Sequence, residues 1–199
     1  MKIYAYLALG DSYTIGEQVL LADSFPYQTV ELLRAAGHAF AAPEIVATTG
    51  WTSNDLLHTI DHRNFLAAYD YISLLIGVNN QYQDKSAEAF RQDLRILLEW
   101  AIRKTNNTGR VNLLSIPDWG VTPFAENRDR KKISEQIDLF NFICQAEAEY
   151  FHVPFIDITT AQRINGSDPA FLTKDQLHPA QPEYAKWAGQ LSEVMISNL

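Results

Sequence analysis

One cysteine in 199 residues rules out an intramolecular disulfide framework. Cys144 closes the apolar run Leu139-Phe140-Asn141-Phe142-Ile143, so it reads as a buried, inert thiol on a helix face rather than a nucleophile. Basic residues are in deficit, 16 Lys and Arg against 24 Asp and Glu, for a net charge of -8. That balance excludes the basic footprint of a nucleic-acid binder and gives no electrostatic hold on an anionic membrane. No stretch reaches the roughly 20 apolar residues of a membrane span. Met1 to Leu9 carries one positive charge and then apolar residues, but it runs into Gly10-Asp11-Ser12 with no small-residue cleavage site. It reads as a first buried strand rather than a leader, and a cytoplasmic protein is the expectation. There is no repeat, low-complexity tract or interdomain linker, no Walker motif and no Gly-x-Gly-x-x-Gly. His58 and His62 are spaced for one helix face, but Thr59 stands where a zincin needs Glu and no third ligand accompanies them. Exposed helix histidines are expected there, with no metal.

What remains is 47% hydrophobic and 20% charged, the balance of a single globular domain spanning 1–199. Apolar strand-like runs alternate with longer helical patterns. Strands are expected over 2–9, 44–48, 69–76, 110–116 and 153–158. Helices are expected from Asp23 or Ser24 to Gly37, from about Thr52, over 86–105 with Phe90, Leu94, Leu97, Leu98 and Ala101 on one side, from Arg128 to about Phe151, and from Glu183 to about Ser197. The basic cluster Arg128 to Lys132 reads as a solvated helix start. Such alternation implies an α/β fold with five parallel strands and helices on both faces. Ligands of such sheets bind beyond the carboxyl ends of the strands, where Ser12, Gly50 and Asn79 fall.

Those positions hold complementary chemistry. A serine hydroxyl becomes a nucleophile when an imidazole takes its proton, and a carboxylate fixes the imidazole's tautomer. Ser12 is the candidate nucleophile, His178 the general base and then acid, and Asp175, three residues earlier, the orienting carboxylate. The backbone N–H groups of Ser12 and Gly50 and the Asn79 amide are candidate oxyanion donors. A glycine at 50 would let the substrate approach the backbone. Asp11 is expected to shape the turn presenting Ser12 through local hydrogen bonds, and Asp157 to cap the turn after the fifth strand, which leaves paired-carboxylate glycosidase chemistry a poor fit.

Gly10-Asp11-Ser12, Gly50, Gly77-Val78-Asn79-Asn80 and Asp175-Gln176-Leu177-His178-Pro179 together resemble the blocks of the GDSL, or SGNH, hydrolases, in family order. The resemblance implies a flavodoxin-like, three-layer sandwich and cofactor-free chemistry. It carries the nucleophile to Ser12, the acid and base to Asp175 and His178, and the oxyanion donors to Ser12, Gly50 and Asn79. Two positions depart from the family pattern. Tyr13 replaces the frequent leucine or isoleucine, and Asn80 replaces an aspartate, which raises the question of that position's hydrogen bonding.

The expected activity is hydrolysis of small-molecule carboxylic esters with short-to-medium acyl chains. The same site could serve a carbohydrate deacetylase, a thioesterase or a lysophospholipase, and a catalytically silent binding module is the reading from another class. Trp51, Tyr82, Trp119 and Phe124 are candidate substrate-binding residues, with Leu20, Leu21 and Phe25 on the loop after Ser12. No loop is long enough for a large lipase-type lid.

Overall fold

The computed structural model describes residues 2–199. Its strands are β1 (Tyr6–Gly10), β2 (Glu44–Ala47), β3 (Tyr71–Leu75), β4 (Val111–Leu114) and β5 (Phe155–Ile156). The helices are α1 (Ser12–Ile15), α2 (Phe25–Ala35), α3 (Ser53–His62), α4 (Val78–Tyr82), α5 (Ala87–Thr105), α6 (Arg130–Phe151), α7 (Thr159–Asn165) and α8 (Gln181–Ser197). The strands form one sheet in the order β2-β1-β3-β4-β5, and every pair is parallel. Leu9 stands opposite Val46 on one side and Leu74 on the other. This is the flavodoxin-like α/β sandwich, with a topological switch where the chain leaves β1 for one edge and β3 for the other.

Residues of β1 and β3 are buried throughout, as strands covered on both faces must be. Helices α2 and α8 pack together on one face, and α3, α5 and α6 in contact on the other. The predicted stripe of α5 is fully buried. Ser86 caps that helix by accepting the Ala89 N–H, and Asn106 ends it in the left-handed region at φ 51°. Cys144 is buried on α6, and burial pushes its thiol well above the ordinary range. Lys131 and Lys132 lie exposed at the start of that helix, as expected for a solvated face.

Several boundaries differ from the sequence reading. The fifth strand is only Phe155–Ile156, and the chain then turns into α7, which had no predicted counterpart. Asp157 accepts the Thr160 N–H at 3.0 Å, the turn-capping role expected of it, and the capped turn continues into a helix where a loop was expected. Ser24 stands at the start of α2 without capping it, because its hydroxyl donates back to the Leu21 carbonyl. Helix α8 begins two residues before Glu183, with Pro182 in its first turn.

Candidate active site

Three strand ends and one long loop bring the site together. At the end of β1, a Cβ on Gly10 would stand 2.1 Å from Thr14 Oγ1 and 2.4 Å from the Leu75 carbonyl, so only glycine lets the chain turn so tightly. Asp11 caps α1, its Oδ1 accepting the Tyr13 N–H at 3.0 Å. Ser12 is thereby the first residue of α1, with its N–H directed out of the helix end. The expected shaping role of Asp11 matches this geometry. Its carboxyl is fully buried and its Oδ2 has no partner, and burial pushes its pKa up to about 7.

The segment 173–178 folds into a tight loop around one carboxylate. Asp175 Oδ1 accepts the Leu177 N–H at 2.9 Å, the His178 N–H at 3.0 Å and the Thr173 hydroxyl at 2.7 Å. Its Oδ2 lies 2.6 Å from His178 Nδ1. Burial alone would raise the Asp175 carboxyl, but the bonds from His178, Leu177 and Thr173 outweigh it and hold the group down at about 2. An ionised Asp175 fixes the proton on Nδ1 and leaves Nε2 free to accept. Nε2 is 2.9 Å from Ser12 Oγ, across 166 residues of sequence. The Tyr13 ring packs against the imidazole at 5.2 Å between centroids and against Trp187 of α8 at 6.2 Å. An imidazole so held can take a proton from the Ser12 hydroxyl and return it to another atom.

Gly50 and Asn79 follow β2 and β3. Gly50 has φ 84°, and a Cβ there would meet nothing within 4 Å. The backbone conformation therefore demands glycine, and crowding by the protein does not. Asn79 Nδ2 donates to the Trp51 carbonyl at 3.0 Å with one of its two hydrogens. Among the described residues, neither the Ser12 nor the Gly50 backbone N–H has a protein acceptor. The question raised by Asn80 has a clear answer: its Oδ1 accepts the Ser53 N–H at 2.9 Å and its Nδ2 donates to Ser53 Oγ at 2.7 Å, so both ends of the amide are satisfied.

These groups border a 210 Å³ pocket with a mainly apolar wall of Val78, Tyr82, Trp119, Phe124 and Leu177. Tyr82 and Trp119 meet edge to face at 5.2 Å, and Trp119 and Phe124 at 6.0 Å. The Trp119 indole N–H donates to Gln81 at 2.6 Å, and Gln81 donates to Gln136 at 2.8 Å. Trp51 does not line the pocket. Its half-buried side chain packs against the core, and its carbonyl accepts from Asn79. Phe25 is likewise core, and Leu20 and Leu21 are exposed outside the pocket. Sequence reasoning missed Tyr13, Thr49, Val78 and Leu177 as lining residues, although each is a chain neighbour of a site residue it had singled out. His58 and His62 stack at 4.2 Å on α3. No cluster of three or more potential metal ligands occurs among the described residues, nor any helix long and apolar enough to cross a membrane.

The architecture is shared with solved structures. The lipase/acylhydrolase from Enterococcus faecalis is 21% identical, covering 98% of this chain and 97% of that one with a TM-score of 0.77. Axe2, an acetylxylan esterase from Geobacillus stearothermophilus, is 18% identical with coverages of 96% and 94% and a TM-score of 0.77. TesA is 16% identical with coverages of 98% and 99% and a TM-score of 0.77. At such identities the likeness is one of fold. Among the curated proteins compared, none matches the chain significantly. The sequence profile of the GDSL-like Lipase/Acylhydrolase family matches residues 8–186, nearly the whole chain. The protein therefore belongs to the GDSL-like lipase/acylhydrolase family, whose hydrolases act on esters.

Proposed function

We propose that this protein is a serine esterase that cleaves carboxylic esters of short-to-medium acyl chains through an acyl-enzyme. The observation that carries this reading is the unbroken contact from Asp175 Oδ2 to His178 Nδ1 and from His178 Nε2 to Ser12 Oγ, at 2.6 and 2.9 Å, opening onto an apolar pocket. Ser12 Oγ attacks the ester carbonyl carbon while its proton passes to His178 Nε2. The carbonyl oxygen becomes an oxyanion facing the N–H groups of Ser12 and Gly50 and the second amide hydrogen of Asn79. Collapse of this intermediate breaks the bond to the leaving oxygen, which takes the proton from His178 and departs as the alcohol. Water then repeats the attack on the acyl-Ser12 ester, again losing its proton to His178, and the acid is released with Ser12 regenerated.

Pocket size supports the acyl preference. At 210 Å³ the mainly apolar pocket is smaller than the roughly 300–1,000 Å³ typical of drug-sized ligand sites, which suits a modest acyl chain. The test combines labelling by a fluorophosphonate probe with turnover of p-nitrophenyl esters, acyl thioesters and acetylated sugars. Wild-type protein is expected to label once and to prefer soluble short-to-medium esters. Ser12→Ala is expected to lose both labelling and turnover while keeping its thermal midpoint. Wild-type turnover by Ser12→Ala, or a preference for emulsified long-chain lipids or acetylated sugars alone, would overturn the proposal.

A further inference from the structure

Gly50 occupies the least supported position in the site. It follows β2, at the edge of the sheet, and Thr48, Thr49 and Gly50 are all exposed. No side chain packs over Gly50, and a Cβ there would meet open space. Glycine is also the residue whose φ and ψ are least restricted by sterics. The direction of its N–H, part of the 49–50 peptide, must therefore be set by hydrogen bonds on either side of it, to the Thr49 side chain before and to the 50–51 peptide after.

Such bonds are present and come from two other strand ends. Before Gly50, the Thr49 hydroxyl donates to the Glu17 carboxylate on the loop after α1. Within the turn, the Trp51 N–H donates to the Thr48 carbonyl at 3.2 Å. After Gly50, two amides one turn apart are supplied by Asn79 on α4 and by Gln83, which caps the C-terminus of that helix. Asn79 Nδ2 donates to the Trp51 carbonyl at 3.0 Å, and Gln83 Nε2 donates to the Gly50 carbonyl at 3.2 Å. Gln83 is itself held in register with Asn79, because its backbone N–H donates to the Asn79 carbonyl at 3.0 Å. Two successive carbonyls of the turn are thus gripped by α4 and the residue that caps it.

We propose that Gln83 is a positioning residue for the oxyanion hole: its side-chain amide, by holding the Gly50 carbonyl, keeps the Gly50 N–H directed at the developing oxyanion. This rests on the esterase reading above, in which Gly50 is an oxyanion donor. Gln83 lines no part of the acyl pocket, so it should influence the transition state without touching the ground-state substrate. A residue that only stabilised the fold would not separate kcat from KM in this way.

The experiment compares wild type with Gln83→Leu and Gln83→Glu, which lose the donor, and Gln83→Lys, which keeps an N–H donor on a long side chain. Steady-state kinetics on a soluble p-nitrophenyl ester are paired with the affinity of an alkyl boronic acid, whose adduct with Ser12 mimics the tetrahedral intermediate. Misdirecting one donor should cost less than deleting it, so kcat is expected to fall about 10-fold in the Leu and Glu variants with KM little changed. Boronate affinity is expected to fall in parallel and Gln83→Lys to recover most of the loss. Because Gln83 is exposed, thermal midpoints should stay near wild type. Unchanged kcat in Gln83→Leu, a rise confined to KM, or Gln83→Lys as impaired as Gln83→Leu would each overturn the assignment. Fluorophosphonate labelling separates the two levels. If Ser12 does not label, the esterase reading fails and the clamp with it; if Ser12 labels but Gln83→Leu turns over normally, only the clamp fails.

Discussion

Asn79 lines the pocket and spends one amide hydrogen on the Trp51 carbonyl, and in the proposed mechanism the other meets the oxyanion. The side chain thus shapes the neighbouring turn and can also meet a charge that exists only during reaction. Deleting an oxyanion donor of this kind costs about 2.7–4 kcal/mol of transition-state stabilisation. Asn79→Ala and Asn79→Asp are therefore each expected to lower kcat by about 10²–10³-fold with a smaller change in KM. Steady-state kinetics check this, and a higher KM at wild-type kcat would make Asn79 a ground-state contact instead. Its neighbour Asn80 illustrates a different use of the same residue type. An amide can both accept from a backbone N–H and donate to a hydroxyl, so Ser53 remains free to donate to Asp93 at 2.6 Å.

The pocket's aromatic wall depends on the segment joining β4 to α6. Asp118, fully buried, accepts the Gly120 N–H at 2.8 Å and Arg163 Nε at 2.9 Å. The Thr122 hydroxyl donates to the Trp119 carbonyl at 2.7 Å, and the Phe124 N–H donates to the Gln176 carbonyl at 3.2 Å. That last bond ties the wall directly to the loop carrying Asp175 and His178. Trp119 is only 4% exposed, whereas Phe124 is 43% exposed at the rim. Trp119→Ala should lengthen the pocket and move the preferred acyl chain upward in a p-nitrophenyl ester series. It should also lower the thermal midpoint, since a large buried side chain and the bond to Gln81 are lost together. Phe124→Ala should shift the profile with little loss of stability. An unchanged chain-length profile in both variants would remove the wall from substrate selection.

Over the whole molecule, two carboxyls near Ser12 make stability respond to pH in opposite directions. Asp175, held at about 2, favours the folded state above the ordinary carboxylate range, and that contribution is lost as pH falls from about 4 through 2. Asp11, pushed up to about 7, keeps its proton longer in the folded chain than in the unfolded one. Its contribution is fully present below about pH 4 and is lost as pH rises through 7. Asp11→Asn keeps the shape and the bond to the Tyr13 N–H but cannot ionise. Wild type is therefore expected to lose stability relative to Asp11→Asn between pH 4 and 7. Parallel thermal melts across that range check the sign, and a constant difference would show that Asp11 ionises alike in both states.

How much of this was legible before folding depends on the range over which each feature is decided. The alternation of apolar runs and helical stripes specified five parallel strands and their covering helices, because burial on both faces leaves its mark within each segment. The Asp175–His178 pair was equally local, three residues apart and closed by one loop. Helix α7 escaped because its buried face is polar, Thr159 and Gln162, and leaves no apolar stripe, and α1 and α4 because helices of four or five residues leave no periodic pattern. Trp51 and Phe25 looked like pocket residues by proximity along the chain, and tertiary packing turned both toward the core. The meeting of Ser12 with His178, the grip of α4 on the Gly50 turn and the closure of the aromatic wall were decided only in three dimensions. Each joins segments tens to hundreds of residues apart, and the strand order β2-β1-β3-β4-β5 is what brings them into one crevice.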